Sequence, residues 1–171
     1  MSDPVATQYK PLIGHSISEL ESFAESLDEK PFRGRQLFDW IYHQQVDDYF
    51  KMTNLSKSLR EKLSKISIHP LKMLTREESF SKQTRKFLFE VSGGKMIETV
   101  LMKEGGRTTV CLSTQVGCAV DCDFCATAKM GFVKNLTAGE IVDQFLQIQK
   151  ISDQKITNVV FMGMGEPFLN Y

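Results

Sequence analysis

Apolar positions recur at helical intervals near both ends of the chain and alternate in between, so the pattern predicts helices, then strands, then a mixed segment. Near the amino terminus Leu20, Phe23, Ala24 and Leu27 share one helical face behind a capping box of Ser18 with Glu21. Leu37, Phe38, Trp40 and Ile41 make a second stripe, and Leu59, Leu63 and Ile66 a third behind Ser56 and Ser58. Three such helices can share a core, to which Trp40 is assigned. Next, residues 85 to 91, Gly93-Gly94 and residues 96 to 102 predict a β-hairpin, and Gly105-Gly106 turns the chain into a strand through Val110 and Leu112. Thr137 with Glu140 has capping-box spacing, and Ile141, Val142, Phe145 and Ile148 then predict a helix over about 138 to 150. The apolar run 159 to 162 predicts a further strand. Strand, loop, helix and strand form a βαβ unit, which calls for a parallel sheet with sites at the carboxyl ends of its strands.

Composition narrows the class only mildly. The chain has 171 residues, 42% of them hydrophobic, enough for a sizeable core. It has no apolar run near the roughly 18 to 20 residues that span a bilayer. Its 21 Lys plus Arg balance 21 Asp plus Glu, so net charge gives no support for a nucleic-acid partner. Locally, Arg33, Arg35, Lys57, Arg60 and Lys62 lie outside the apolar stripes and could meet phosphates. Arg76, Lys82, Arg85 and Lys86 are either a second basic patch or solvated strand faces. His15, His43 and His69 are too scattered to suggest a metal site. The opening MSDPVATQYK has no charged-then-apolar signal segment, which leads us to expect a reducing cytoplasm.

The chemistry concentrates in the cysteines. Cys118, Cys122 and Cys125 form a C-x3-C-x2-C run with Phe124 just before the last. Three thiolates on one short loop can hold three irons of a 4Fe-4S cluster and leave the fourth open to a substrate. A zinc site completed by Cys111 is the competing reading; zinc usually takes two short cysteine knuckles, and only one pair here has that spacing. One βα step later the predicted strand ends in Gly163-Met164-Gly165-Glu166-Pro167. Glycines there let a ligand approach the backbone, and Glu166 can accept hydrogen bonds from an ammonium.

Two further residues stand out on the predicted strands. By the two-residue period Met96, Glu98, Val100 and Met102 share one face, and a carboxylate interrupting an apolar face would lose solvation and become a better base near neutral pH. Alternatively Ile97, Thr99 and Leu101 face the core and Glu98 faces water. Cys111, alone on an apolar strand, reads as a small buried hydrophobe.

The stretch from Thr108 to Tyr171, with CLSTQVGCAVDCDFCATAKMGF and then ITNVVFMGMGEPFLN, resembles the RlmN/Cfr family of radical S-adenosylmethionine RNA methyltransferases, on its RlmN side. The resemblance extends upstream through FRGRQLFDWIYHQQVDDYFKMTNLSKSLREKL and so covers nearly the whole chain from about residue 18. It implies a 4Fe-4S cluster on Cys118, Cys122 and Cys125, with S-adenosylmethionine on the open iron, Gly163, Gly165 and Glu166 near its methionine end and Phe124 near its adenine. It implies methylation of C2 of one adenine in 23S rRNA and of the adenine 3′ of the tRNA anticodon, with an electron donor such as flavodoxin. Glu98 would take the proton from C2. Cys111 would be the thiol that resolves a covalent enzyme-RNA adduct by forming a disulfide with a methyl-accepting cysteine. A Cfr-like enzyme acting at C8 and a non-catalytic RNA-binding fragment remain open.

The expected fold is α/β. Residues 1–70 form a helical RNA-binding domain and residues 71–106 a β-hairpin connector, and residues 107–171 start a radical S-adenosylmethionine partial (β/α)6 barrel. Such a barrel needs about six strands, and after the cluster and Cys111 no cysteine remains to accept the methyl group. We therefore expect an incomplete, aggregation-prone chain with at most weak cluster binding and no methyladenine product, a monomer when complete.

Overall fold

The computed structural model describes residues 9–171, and the chain divides into two compact units between Pro70 and Leu71. In the first, α1 spans Ile17–Ser26, α2 spans Phe32–Phe38 and runs on into a π-helical turn at Asp39–His43, and α3 spans Lys57–Leu63. Leu20, Ala24, Leu37, Ile41, Leu59, Leu63 and Ile66 are buried, so the three apolar stripes do become core. The capping box of α1 falls two residues earlier than expected. Ser16 Oγ accepts from the Glu19 N–H at 3.3 Å and Glu19 Oε2 accepts from the Ser16 N–H at 2.7 Å. Both spacings exist in the sequence, but Glu21 is taken by Arg35 at 2.5 Å. Trp40 is only partly buried, and its indole N–H donates to Asn54 Oδ1 at 2.6 Å; a polar group on a ring rarely goes into a core without such a partner.

The second unit is a five-stranded sheet in the order β1-β2-β3-β4-β7, with a small ribbon of β5 and β6. The strands are β1 Lys72–Glu78, β2 Thr84–Val91, β3 Lys95–Glu104, β4 Arg107–Cys111, β5 Gln115–Val116, β6 Lys134–Asn135 and β7 Asn158–Val160. From β1 to β4 neighbours are antiparallel; β4 and β7 are parallel, joined through α4, Ala138–Ile151. The expected hairpin, third strand and βαβ step are thus present. Strand β1 was not legible, because an edge strand exposed on both faces (KMLTREE) shows no two-residue period. Phe161 and Met162 lie beyond the short β7, which forms a free edge, and Val159 on it and Phe161 after it are about half exposed.

Helix α4 begins with the expected capping box, Thr137 with Glu140. Its packed face differs from the predicted stripe. Ile148 is fully buried and Ile141 and Phe145 partly so, against Phe87, Phe89, Ile97, Leu101 and Val110 of the sheet, while Val142 is exposed. Residue 142 lies about 100° round the helix from 141, off the line through 141, 145 and 148. Leu146 and Gly139 are buried too, and so are three polar residues, Glu140, Asp143 and Gln144.

Candidate functional site

Residues directly opposite in a sheet share a face. Val100 of β3 lies opposite Cys111 of β4, and Cys111 opposite Val160 of β7. Glu98, two residues from Val100, is therefore on the same face as Cys111. The reverse face, with Ile97, Thr99, Leu101 and Val110 all buried, packs on α4. Of the two readings of β3, the second holds: Glu98 lies away from the core, with 46% of its side chain exposed, and Lys86 Nζ of β2 sits 3.1 Å from its carboxylate. It has not lost its solvation, and its partner is a cation that Glu77 also approaches, at 3.6 Å. The ammonium of Lys86 is correspondingly held above the usual lysine range by Glu98 first and Glu77 after it.

Cys111 is nearly buried, at 8% exposure. Burial pushes its thiol up, opposed in part by a backbone hydrogen bond from Met162. In sheet geometry Glu98 and Cys111 are diagonal neighbours, on the order of 7–8 Å apart between Cα atoms.

Beyond β4 the chain stays zipped to the segment after β7. Leu112 N–H donates to Val160 O at 2.8 Å, Thr114 N–H to Met164 O at 2.8 Å and Gly163 N–H to Leu112 O at 3.1 Å. Glu166 N–H donates to the buried Gln115 Oε1 at 3.0 Å. These contacts explain the glycines differently from the expectation of ligand access. A Cβ on Gly163 would lie 2.7 Å from Leu112 O, and one on Gly165, whose φ is +97°, would lie 2.6 Å from Gln115 Cβ. The chain's own backbone occupies the space that a side chain would need. Glu166 is half-buried, and one of its carboxylate oxygens accepts from the Phe168 N–H at 2.9 Å.

The cysteine loop leaves from the same end of the sheet, because β4 and β7 are parallel. Its neck is the β5-β6 ribbon, where Gln115 pairs with Asn135 and Val116 with Lys134. Just inside, Gly117 has φ +73° and its missing Cβ would lie 1.7 Å from Gly131 O. Cys118 N–H donates to that same carbonyl at 3.2 Å. Only glycine fits there.

Cys118, Cys122 and Cys125 are partly exposed, and all four cysteines are free thiols. Backbone hydrogen bonds from Ala128 and then Thr127 hold the Cys125 thiol below its ordinary range, the state a metal ligand needs. The structure does not draw the three together: among the described residues no three Cys, His, Asp or Glu side chains are grouped as a metal site. In donor chemistry the loop still fits an iron-sulfur cluster, since it carries three accessible thiols between glycines that close its neck. Phe124 is 94% exposed.

The sequence reading missed the polar buttress behind this site. Gln144 is fully buried. Its Oε1 accepts from Thr99 Oγ1 at 2.7 Å and Ser113 N–H at 2.9 Å, and its Nε2 donates to Ser113 O at 2.9 Å and Glu140 O at 3.2 Å. Asp143 Oδ2 accepts from the Leu71 N–H at 3.0 Å. Glu140 accepts from Lys134 Nζ at 2.8 Å and from the Thr137 N–H at 2.9 Å. The only hint in the sequence was the run of polar residues inside the apolar spacing of α4.

The basic residues singled out on the helical unit have local partners. Arg33 donates to Gln36 Oε1 at 2.8 Å and Asn54 O at 2.7 Å, Arg60 to Phe50 O at 2.8 Å and Lys62 to Leu27 O at 2.9 Å. Lys57 lies 3.9 Å from Glu61. Arg85 pairs with Glu78 at 2.6 Å.

Among the described residues no helix is long and apolar enough to cross a membrane. Residues 11–68 match the family described as the ribosomal RNA large subunit methyltransferase N-terminal domain. A dual-specificity RNA methyltransferase RlmN of Saccharophagus degradans is 48% identical over 167 residues, covering 94% of this chain and 42% of that protein. A probable dual-specificity RNA methyltransferase RlmN of Thermotoga neapolitana is 48% identical over 163 residues, covering 95% of this chain and 48% of that one. A crystal structure of a radical SAM methyltransferase from Sphaerobacter thermophilus superposes with a TM-score of 0.87 at 43% identity, over 95% of this chain and 49% of that chain. The chain thus spans less than half the length of these relatives.

Proposed function

From the premise that this chain belongs to the RlmN family, and corresponds to its amino-terminal part, we propose that it supplies the cluster loop and two reactive side chains of a radical S-adenosylmethionine enzyme that methylates C2 of adenine in 23S rRNA and tRNA. One observation carries the reading. Glu98 and Cys111 share one face of the sheet, at the end where both the cysteine loop and the Gly163 to Glu166 segment emerge.

Cys118, Cys122 and Cys125 would hold a 4Fe-4S cluster, which with S-adenosylmethionine supplies reductive radical generation. The neck at Gly117 and Gly131 keeps these thiols on one closed loop. Glu166, beside that loop's base through its bond to Gln115, offers a carboxylate to the amino group of S-adenosylmethionine. Phe124, exposed on the loop, offers a ring face to adenine.

Glu98 takes the C2 proton once the methyl carbon has bonded to the base. The carboxylate is half exposed and meets Lys86 at 3.1 Å, so an oxygen remains open to the base. Cys111 attacks the sulfur that tethers RNA to enzyme, forming a disulfide and freeing the modified base. Burial keeps this thiol protonated and protected until the adduct is in place. The RNA substrates, an electron donor such as flavodoxin, a cytoplasmic location and a monomeric state follow from the same reading.

The test uses a full-length protein carrying this sequence, reconstituted anaerobically and incubated with an unmodified 23S rRNA fragment, S-adenosylmethionine and reductant. Nucleoside mass spectrometry should show 2-methyladenosine, and 8-methyladenosine in its place would move the chemistry to C8. Cys111→Ala should accumulate a covalent protein-RNA species on a denaturing gel. Normal turnover of that variant would remove Cys111 from the mechanism.

A further inference from the structure

Ser113 sits where the reactive row and the Gly163 to Glu166 segment meet. Its Oγ donates to Glu98 O at 2.5 Å and accepts from the Met164 N–H at 2.9 Å. Its own backbone N–H and C=O are both bound by one side chain, Gln144 of α4, reaching through from the reverse face. The same Gln144 holds the hydroxyl of Thr99, the residue after Glu98.

We propose that Gln144 is a positioning residue for the methyl-transfer chemistry, which rests on the roles given above to Glu98 and Cys111. A primary amide has one acceptor oxygen with two lone pairs and two donor hydrogens, and all four are used in a fully buried place. Such a saturated group has a single low-energy orientation, since a rotated amide would leave buried donors and acceptors unpaired. It therefore fixes the stagger of Thr99 in β3 against Ser113 beyond β4. That stagger sets the diagonal between Glu98 and Cys111. Through Ser113 Oγ it also sets how close Met164, and with it Glu166, lies to the same row. No purely apolar side chain could hold both the N–H and the C=O of Ser113 at once.

Reaction steps that depend on that diagonal should suffer before cluster loading does, because the cysteine loop lies beyond the β5-β6 neck and none of Gln144's four hydrogen bonds reaches it. Misplacement of reacting groups by about 1 Å costs on the order of 100-fold in rate.

The experiment compares Gln144→Met with the parent in the full-length protein, scoring iron content, 5′-deoxyadenosine released and methylated adenosine formed. We expect native iron content and a ratio of 5′-deoxyadenosine to methylated product raised roughly 10-fold or more. An unchanged ratio overturns the proposal, whether turnover is native or falls in proportion to the folded fraction. If Gln144→Met does not fold, Thr99→Val removes one bond of the same amide at nearly constant volume, and Thr99→Ser restores it; the ratio should rise in the first and return in the second. Equal ratios in Thr99→Val and the parent also overturn the proposal. Glu98→Gln, run alongside, reports separately on the base: normal turnover there would refute the role of Glu98 and leave the Gln144 ratio to be read on its own.

Discussion

The two halves of the site are held in opposite ways. Glu98 and Cys111 lie on regular strands and Ser113 just beyond β4, backed by a packed helix and a saturated amide, and the hydroxyl, N–H and C=O of Ser113 are all bonded to the protein itself. The cysteine loop is exposed, carries no regular element between its neck strands except a three-residue 3-10 turn, and leaves its three thiols apart. Under the function proposed above, the groups that would meet a large RNA at one geometry are built into rigid structure, and the thiols that would hold a cluster can be gathered by the free energy of binding itself.

The sharpest way to break this contrast is at the loop's neck. Gly117→Ala places a Cβ on the Gly131 carbonyl in a left-handed backbone conformation, so the loop should no longer close. Iron and sulfide assays after reconstitution should find nearly all the cluster lost, as for Cys118→Ala, Cys122→Ala or Cys125→Ala, while the sheet unit keeps its circular dichroism.

A smaller effect belongs on the rigid side. Gly163→Ala and Gly165→Ala push against Leu112 and Gln115, and overpacking of this kind costs about 1–3 kcal/mol. Denaturant midpoints measure it. No loss at either position would mean that the zipped segment is looser than its hydrogen bonds indicate.

Glu140 gives a pH-dependent test of the buttress. Burial raises its carboxyl, but the Lys134 ammonium, the Thr137 N–H and Ser92 outweigh it, so the net displacement is below the usual range. A carboxylate depressed in the folded state contributes stability above its unfolded value, lost as pH falls through the folded one. Stability of the parent should therefore decline as pH falls below 4.5, the ordinary glutamate value, more steeply than that of Glu140→Gln. At neutral pH that variant should be less stable by about 1–3 kcal/mol, read from urea unfolding at each pH.

The mildest comparison sets one thiol against another. With no cluster bound, iodoacetamide near neutral pH should label Cys125, whose thiol is lowered, before Cys111, whose thiol is raised and covered. Peptide mass spectrometry over a time course gives the order, and faster labelling of Cys111 would contradict its burial.

Local patterns were legible where one face of an element meets a core. The helix over 138 to 150, the hairpin through Gly93-Gly94 and the parallel step to a strand starting near 159 all follow from spacing, because burial on one side imposes a period. Strand β1 escaped because it has no buried side to impose one, and the α1 cap was misplaced because two equally spaced Ser/Glu pairs compete locally. The face of Glu98 was a matter of symmetry: alternation defines two faces but does not say which meets α4.

By itself, then, the sequence determined the kind and order of the elements that bury one face, and the chemistry on offer: three closely spaced cysteines, a carboxylate, a further thiol and two glycines before Glu166. Each of these follows from local spacing or from bonding capacity, which a side chain carries wherever it is placed. Only the tertiary structure decided that Glu98 and Cys111 lie on one face, that Gly163 and Gly165 are small because Leu112 and Gln115 press on them, and that Gln144 is a buried pin rather than a solvated helix residue. Those facts join residues far apart in the chain, and no local period encodes which strand a helix will cover or which carbonyl a buried amide will reach.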